Sequence, residues 1–143
     1  MSTAKPETGH AVIETLFLGL VLLVPMIWML TVFGELHAAA LATSSAARES
    51  GFESARSTDV ISADEGIARS VSEAIADHGL DPRRVDIRWS PPEGWRRGAA
   101  VEIVVTYSVP VFQAPLLGAI TEPSIPITAR HIATIDRYRS RPE

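Results

Sequence analysis

The chain has 143 residues, a formal net charge of −4 and no cysteine. This length is enough for one modest domain, and the absence of cysteine excludes disulfide bridges and thiolate metal sites. Basic residues do not cluster with interleaved aromatic side chains, so we expect no nucleic-acid partner. Hydrophobic residues make up 46% of the chain, and their position along it is more informative than their number.

An apolar run from Ala11 to Phe33 predicts a helix that spans a lipid bilayer. As an α-helix this run would cover about 34 Å, against a hydrocarbon core of about 30 Å. Pro25 lies in its middle, where a membrane helix tolerates proline. One alternative is a buried core helix, although the rest of the chain is too short to surround one. Another is a secretory signal peptide cleaved after the Ala40-Leu41-Ala42 triplet, although the apolar run is longer than such signals have.

The charges that flank the apolar run indicate its orientation. Lys5 precedes the run, and no arginine follows it until Arg48. The positive-inside rule therefore favours a cytoplasmic N-terminus and a C-terminal domain outside the membrane. We expect a single-pass protein whose first partner is the lipid bilayer.

Glu14 is the only charged residue inside the apolar run. A carboxylate costs free energy in a membrane helix, by about 3 kcal/mol at mid-helix and less near the interface. Cleavage after Gly9 would create an α-amine at His10, close to the carboxylate. In a bundle of such helices the two charges could neutralise each other. The alternative is that Glu14 simply lies at headgroup level.

These features resemble type IV pilin-like proteins, and in particular the TadE-like minor pilins of the tight-adherence (Tad/Flp) pilus. That family has an N-terminal Gly-x-Ala-Val-x-Glu pattern, a proline inside the apolar run and a Phe-Gly pair after it. It also has an Ala-Ala-Arg-Glu stretch, a late Pro-Leu-Leu-Gly segment and a last strand with Thr-Ala. The matching positions are Gly9, Ala11, Val12, Glu14, Pro25, Phe33, Gly34, Ala46-Ala47-Arg48-Glu49, Pro115-Leu116-Leu117-Gly118 and Thr128-Ala129-Arg130.

The resemblance implies a bacterial membrane protein that supports pilus assembly and can itself enter the pilus. A prepilin peptidase would cut between Gly9 and His10, and Glu14 would hold the protein to other pilin-like subunits. The resemblance implies no enzymatic activity and no cofactor. Two alternatives stay open: a pseudopilin of a type II-like secretion system, and an unrelated signal-anchored extracytoplasmic binding domain.

The expected fold class is α+β, with a long N-terminal transmembrane helix that extends into an external domain. Three segments are predicted: a leader peptide (1–9), a transmembrane and extended helix (10–50) and an extracytoplasmic domain (51–143). In that domain we expect one further helix packed on a three-stranded antiparallel sheet. A capping box at Ser62–Glu65 should start the helix and Gly79 should end it. Alternating apolar residues predict strands near 85–89, 99–109 and 125–135.

The segment between the last two strands is too apolar for an ordinary loop. It could close the end of a small core, or it could form a docking surface for another subunit or for the membrane. The residues that would form this surface are Phe112, Leu116, Leu117 and Ile120.

The remaining polar residues do not predict a catalytic or metal site. Histidines at 10, 37, 78 and 131 have no second histidine three or four residues away, so we expect no metal. No glycine-rich phosphate loop and no nucleophile elbow occurs. The pairs Arg83-Arg84 and Arg96-Arg97 are interpreted as solvated surface arginines, with contact to a phosphate or an anionic polymer as the alternative.

Overall fold

The structure, a computed structural model, describes residues 8–92, 95, 98–111 and 123–135, with the side chains of 8–10 left out. It confirms an α+β fold with a long apolar N-terminal helix, one further helix and a three-stranded antiparallel sheet. The elements are α1 (Thr8–Arg56), α2 (Val60–Asp77), β1 (Val85–Ser90), β2 (Ala100–Pro110) and β3 (Ser124–Thr134), with a 3₁₀ turn at Pro82–Arg84.

The chain divides into two compact units, and the boundary in the sequence lies between Gly34 and Glu35. The first unit contains the apolar part of α1, whose large side chains from Val12 to Phe33 are mostly 45% to 72% exposed. Within the described residues α1 is the one helix long and apolar enough to cross a membrane. Two threonine hydroxyls in this part donate to carbonyls four residues earlier, Thr15 to Ala11 at 2.8 Å and Thr31 to Ile27 at 3.0 Å. They therefore bring no unsatisfied donor into an apolar surrounding.

The second unit includes the C-terminal part of α1, which continues through Gly51 to Arg56 instead of ending near Ser50 as predicted. One face of this part is buried and consists only of small residues at helical spacing, which lets the backbone approach its neighbours closely. The buried serine and threonine hydroxyls donate to carbonyls three or four residues earlier. The members of this small-residue face are Ala39, Ala42, Thr43, Ala46, Ala47, Ser50, Gly51 and Ser54.

Helix α2 begins three residues earlier than the sequence predicted. Asp59 is the N-cap and accepts a hydrogen bond from the backbone N–H of Ser62 at 2.8 Å, while the Ser62 hydroxyl accepts from the backbone N–H of Asp59 at 3.3 Å. The Asp59–Ser62 pair has the same spacing as the predicted Ser62–Glu65 box, so the sequence contains two possible starts for this helix. The predicted end is confirmed: Gly79 has φ +71°, and the N–H of the next residue bonds back to Ile75 at 3.2 Å.

The sheet has the order β1-β2-β3 with both pairs antiparallel, as predicted. The inner face of β2 is buried from Val101 to Val109, whereas its other face is half-exposed. Helix α2 covers the sheet with its apolar stripe, which includes Ile67 and Ile75. Pro126 lies in the edge strand β3, where a residue without an N–H is tolerated.

Two glycines mark where α1 approaches its neighbours. Gly51 lies against the ring of His131 in β3, and a methyl group added there would come 3.4 Å from the Cβ atom of Ala133. Gly66 of α2 faces α1, and a methyl group there would come 3.6 Å from the Cβ atom of Glu53. The C-terminal part of α1 therefore packs on both α2 and β3.

Candidate functional site

Glu14 lies one helical turn after His10 on the apolar part of α1, and its side chain is exposed. No hydrogen bond or ion pair joins its carboxylate to another residue within the described ranges. The backbone is helical at Gly9 and His10, so the bond predicted to be cut lies in the first turns of α1. First turns fray readily because their N–H groups lack helical partners.

The predicted docking residues Phe112, Leu116, Leu117 and Ile120 lie outside the described residues. The structure does describe the two ends of their segment. The backbone N–H of Val111 donates to the carbonyl of Pro123 at 2.9 Å. The segment thus starts and finishes at one end of the sheet.

Two open clefts lie at this same end of the sheet and share Arg84 and Pro110. The first lies at the ends of the three strands, and the second reaches α1 and the end of α2. The first is lined by Arg83, Arg84, Val85, Asp86, Ser108, Pro110 and Ser124. The second is lined by Glu35, Gly79, Leu80, Asp81, Arg84, Tyr107, Val109 and Pro110.

The charged groups of these clefts are partly paired with each other. The guanidinium of Arg83 donates to the carboxylate of Asp81 at 3.1 Å. These hydrogen bonds lower the pKa of Asp81 and raise the pKa of Arg83. The hydroxyl of Tyr107 accepts from the backbone N–H of Asp81 at 3.3 Å, which ties the turn to β2. The exposed guanidinium of Arg83 is thus held by Asp81 on an ordered turn at the edge of both clefts.

The opposite end of the second unit is closed by two tryptophans that sequence reasoning did not single out. The indole N–H of Trp89 donates to Asp64 at 2.8 Å, and that of Trp95 donates to the carbonyl of Ser57 at 3.1 Å. Their rings meet edge to face, with centroids 6.4 Å apart. The first bond joins β1 to α2, and the second joins the loop after β1 to the connection between α1 and α2, so we assign both to stability.

The described residues contain no group of three or more His, Asp or Glu side chains placed to hold a metal ion. The ring of His78 is hydrogen-bonded through Nδ1 to the carbonyl of Ala74 at 2.9 Å. The ring of His131 packs on Gly51. Both positions are accounted for by helix capping and packing.

The structure bears on the signal-peptide alternative. Ala42, the last residue of the Ala40-Leu41-Ala42 triplet, is fully buried in the core of the second unit, as is Ala39. Cleavage after Ala42 would remove both residues from that core. The packing therefore weighs against a mature chain that begins at Thr43.

Comparisons of the chain with protein-family models, with curated proteins and with solved structures give no match.

Proposed function

We propose that the protein is a membrane-anchored, TadE-like minor pilin that supports assembly of a Tad/Flp-type pilus. Residues 11–33 cross the bacterial cytoplasmic membrane, with the N-terminus in the cytoplasm and the α+β domain outside. The observation that carries the proposal is Glu14, a carboxylate without a described partner in a helix whose other exposed side chains there are nearly all apolar. The resemblance of the surrounding residues to the TadE-like N-terminal pattern supports the same assignment.

The physical argument concerns where the charge of Glu14 finds a partner. An ionised carboxylate in hydrocarbon has little solvation, so a nearby cation in the membrane stabilises it far more than one in water. Processing after Gly9 would supply that cation as the α-amine of His10. Since Glu14 is exposed, it can also face the α-amine of a neighbouring subunit. Glu14 then favours association of helices in the membrane and has little effect on the folded domain.

The Glu14→Gln substitution tests this role, because it removes the charge and keeps the size of the side chain. Its matched control is Glu49→Gln, which removes an exposed carboxylate from the part of α1 beyond the apolar run. We expect the Glu14 variant to insert, to be processed and to fold, but to lose co-purification with other pilin-like subunits and to leave cells with few pili. The control should behave as wild type. Normal pili and normal co-purification of the Glu14 variant would contradict the proposal.

Processing is tested separately by sequencing the N-terminus of the protein extracted from its native membrane. We expect the mature chain to start at His10, and Gly9→Leu to leave the full-length precursor. A wild-type protein that starts at Met1 or at Thr43 would refute the predicted cleavage. If processing occurs and pili are normal but protein secretion fails without the subunit, the type II-like pseudopilin is the better assignment.

A further inference from the structure

Strand β3 lies at one edge of the sheet, because β2 is its only neighbour among the described strands. Two hydrogen bonds beyond its ends show which way its backbone faces. The N–H of Val111 donates to the carbonyl of Pro123 at 2.9 Å, and the N–H of Ile135 donates to the carbonyl of Ala99 at 3.0 Å. The register between these two bonds is uninterrupted. The odd-numbered residues of β3 therefore direct their backbone groups toward β2, and the even-numbered residues direct theirs away from the sheet.

The position of Pro126 limits the part of this strand that can pair with another. Pro126 belongs to the even-numbered set, so its missing N–H interrupts the outer side of β3 and not the ladder with β2. From Thr128 to Thr134 the outward N–H and C=O groups have no hydrogen-bond partner within the described residues. A continuous run of such groups is a template for a further strand. We call residues 128–134 the β3 edge.

The side chains on the outer face of the β3 edge allow a second strand to approach. Arg130 is paired with the carboxylate of Glu102 in β2 at 2.9 Å, so its charge is not left to repel a partner. Ile132 is 60% exposed although it is a large apolar residue. A strand added to the edge would cover it.

The other face of the sheet shows what kind of partner fits. There Gly51 of α1 lies against the ring of His131, and the next residue of the helix, Phe52, is 58% exposed. A lone extended peptide on the β3 edge would leave Phe52 in water. A partner that covers both Phe52 and the edge needs a helix packed beside its own edge strand, and the second unit of this chain has that arrangement.

We propose that two copies of the chain pair through their β3 edges, antiparallel and about a two-fold axis at His131, so that their sheets become one. His131 is the midpoint of the β3 edge, so this axis uses its whole length and leaves Pro126 outside. Arg130 of one copy then lies opposite Ile132 of the other. Thr128 likewise lies opposite Thr134. All four have outward backbone groups, so they form the hydrogen-bonded pairs of the new ladder.

Charge and hydrogen bonding favour this register over its neighbours. An axis at Arg130 would place two guanidinium groups directly opposite each other, which is destabilising. An axis at Ala129 would place Pro126 opposite Ile132 and lose a hydrogen bond. With the axis at His131, the stem of each Arg130 covers the exposed Ile132 of the other copy. Glu102 borders the same Ile132 from β2, so opposite charges alternate across the joined sheets.

The first experiment is disulfide formation in the full-length chain in detergent micelles. The chain has no cysteine, so His131→Cys supplies a single thiol at the proposed axis. Residues that face each other in a non-hydrogen-bonded antiparallel pair have Cα atoms about 4.5 Å apart, which is within the range of a disulfide. We expect a disulfide-linked dimer under mild oxidation.

The matched control for this experiment is Ala129→Cys, on the same face of β3. In the proposed register Ala129 lies opposite Ala133, so two thiols at 129 would be about 14 Å apart. We expect this variant to form little or no disulfide.

The second experiment measures the dimer of the cysteine-free chain by sedimentation equilibrium in density-matched detergent. Ile132→Lys places an ammonium group opposite Arg130 of the other copy, beside Glu102 of its own. The matched control is Ser90→Lys, which lies opposite the same Glu102 but on β1. We expect Ile132→Lys to raise the dissociation constant about tenfold, because the two-fold axis repeats the repulsive pair, and Ser90→Lys to leave it unchanged. Circular dichroism checks that each variant stays folded.

Three results would overturn the inference. Equal disulfide formation at 131 and 129 would show that the copies do not meet in this register. A chain that is monomeric at every concentration would leave the β3 edge to a strand of another protein. A dimer that Ile132→Lys weakens no more than Ser90→Lys would show that the copies associate elsewhere, for example through the apolar run. None of these results bears on cleavage after Gly9 or on Glu14, so the proposed function stands or falls separately.

Discussion

Replacing Gly51 by alanine measures how closely α1 packs on β3. The added methyl group would overlap Cδ2 of His131 and lie 3.1 Å from its Nε2 atom. The matched control is the same substitution at Gly66, a second buried helical glycine, where the nearest atom is the Cβ of Glu53 at 3.6 Å. The two variants add the same methyl group, which overlaps a neighbouring side chain at Gly51 and makes an ordinary contact at Gly66.

The expected magnitudes follow from two terms. Alanine is favoured over glycine in a helix by about 1 kcal/mol, and this gain applies at both sites. Overpacking typically costs about 1–3 kcal/mol, and it applies only at Gly51. Gly66→Ala should therefore stabilise the domain by about 1 kcal/mol, whereas Gly51→Ala should destabilise it by up to about 2 kcal/mol.

The measurement is thermal unfolding of the full-length protein in mild detergent, followed by tryptophan fluorescence. The midpoint for Gly51→Ala should lie at least about 4 °C below that for Gly66→Ala. In a chain that also has His131→Ala the overlap is gone, so Gly51→Ala should become stabilising. If Gly51→Ala stabilises the wild-type chain as much as Gly66→Ala does, the close approach of α1 to β3 is wrong.

Two further predictions concern the ends of the helices. The backbone hydrogen bond from Ser62 lowers the pKa of the Asp59 carboxyl. The stabilisation that the ionised carboxylate gives the domain is therefore present above the ordinary carboxyl pKa of about 4, and it is lost as the pH falls below that value. Asp59→Ala should therefore destabilise the domain at pH 7, and the difference from wild type in urea unfolding should shrink on acidification; a difference that does not change with pH would contradict this. A chain of residues 35–143 should fold without detergent, whereas a chain of residues 43–143 should not, because it lacks Ala39 and Ala42 of the core. Circular dichroism compares the two, and equal folding of both would show that this part of α1 is dispensable.

The strands could be predicted from sequence because their signal is local. Each has apolar residues at alternate positions, and the segments between them contain glycine or proline. The ends of the helices were less predictable. From the sequence alone, Gly51 predicts the end of a helix. In the structure it lies inside α1, where β3 approaches so closely that a larger side chain would overlap His131. The start of α2 was missed because Asp59 and Ser62 each begin a capping pattern with the same spacing.

In the candidate site, too, some residues can be recognised from their neighbours in sequence, whereas others come together only in the folded chain. Glu14 stands out in the sequence because one charge in an apolar run is a local anomaly. The cleft shared by Glu35, Arg84 and Tyr107 could not be predicted, because its residues come from three distant parts of the chain. The hydrogen bond from Trp89 to Asp64 gives no local signal for the same reason.

The size of the side chains changes along α1. Up to Phe33 the exposed residues are mostly large and apolar, which suits lipid, where close packing against protein is not required. From Ala39 onward the buried face is small, which suits a helix pressed against a sheet. Small side chains bury little area each, so that contact depends on close backbone approach, as at Gly51. The same close approach determines which turn of α1 lies beside the Pro110 end of the sheet.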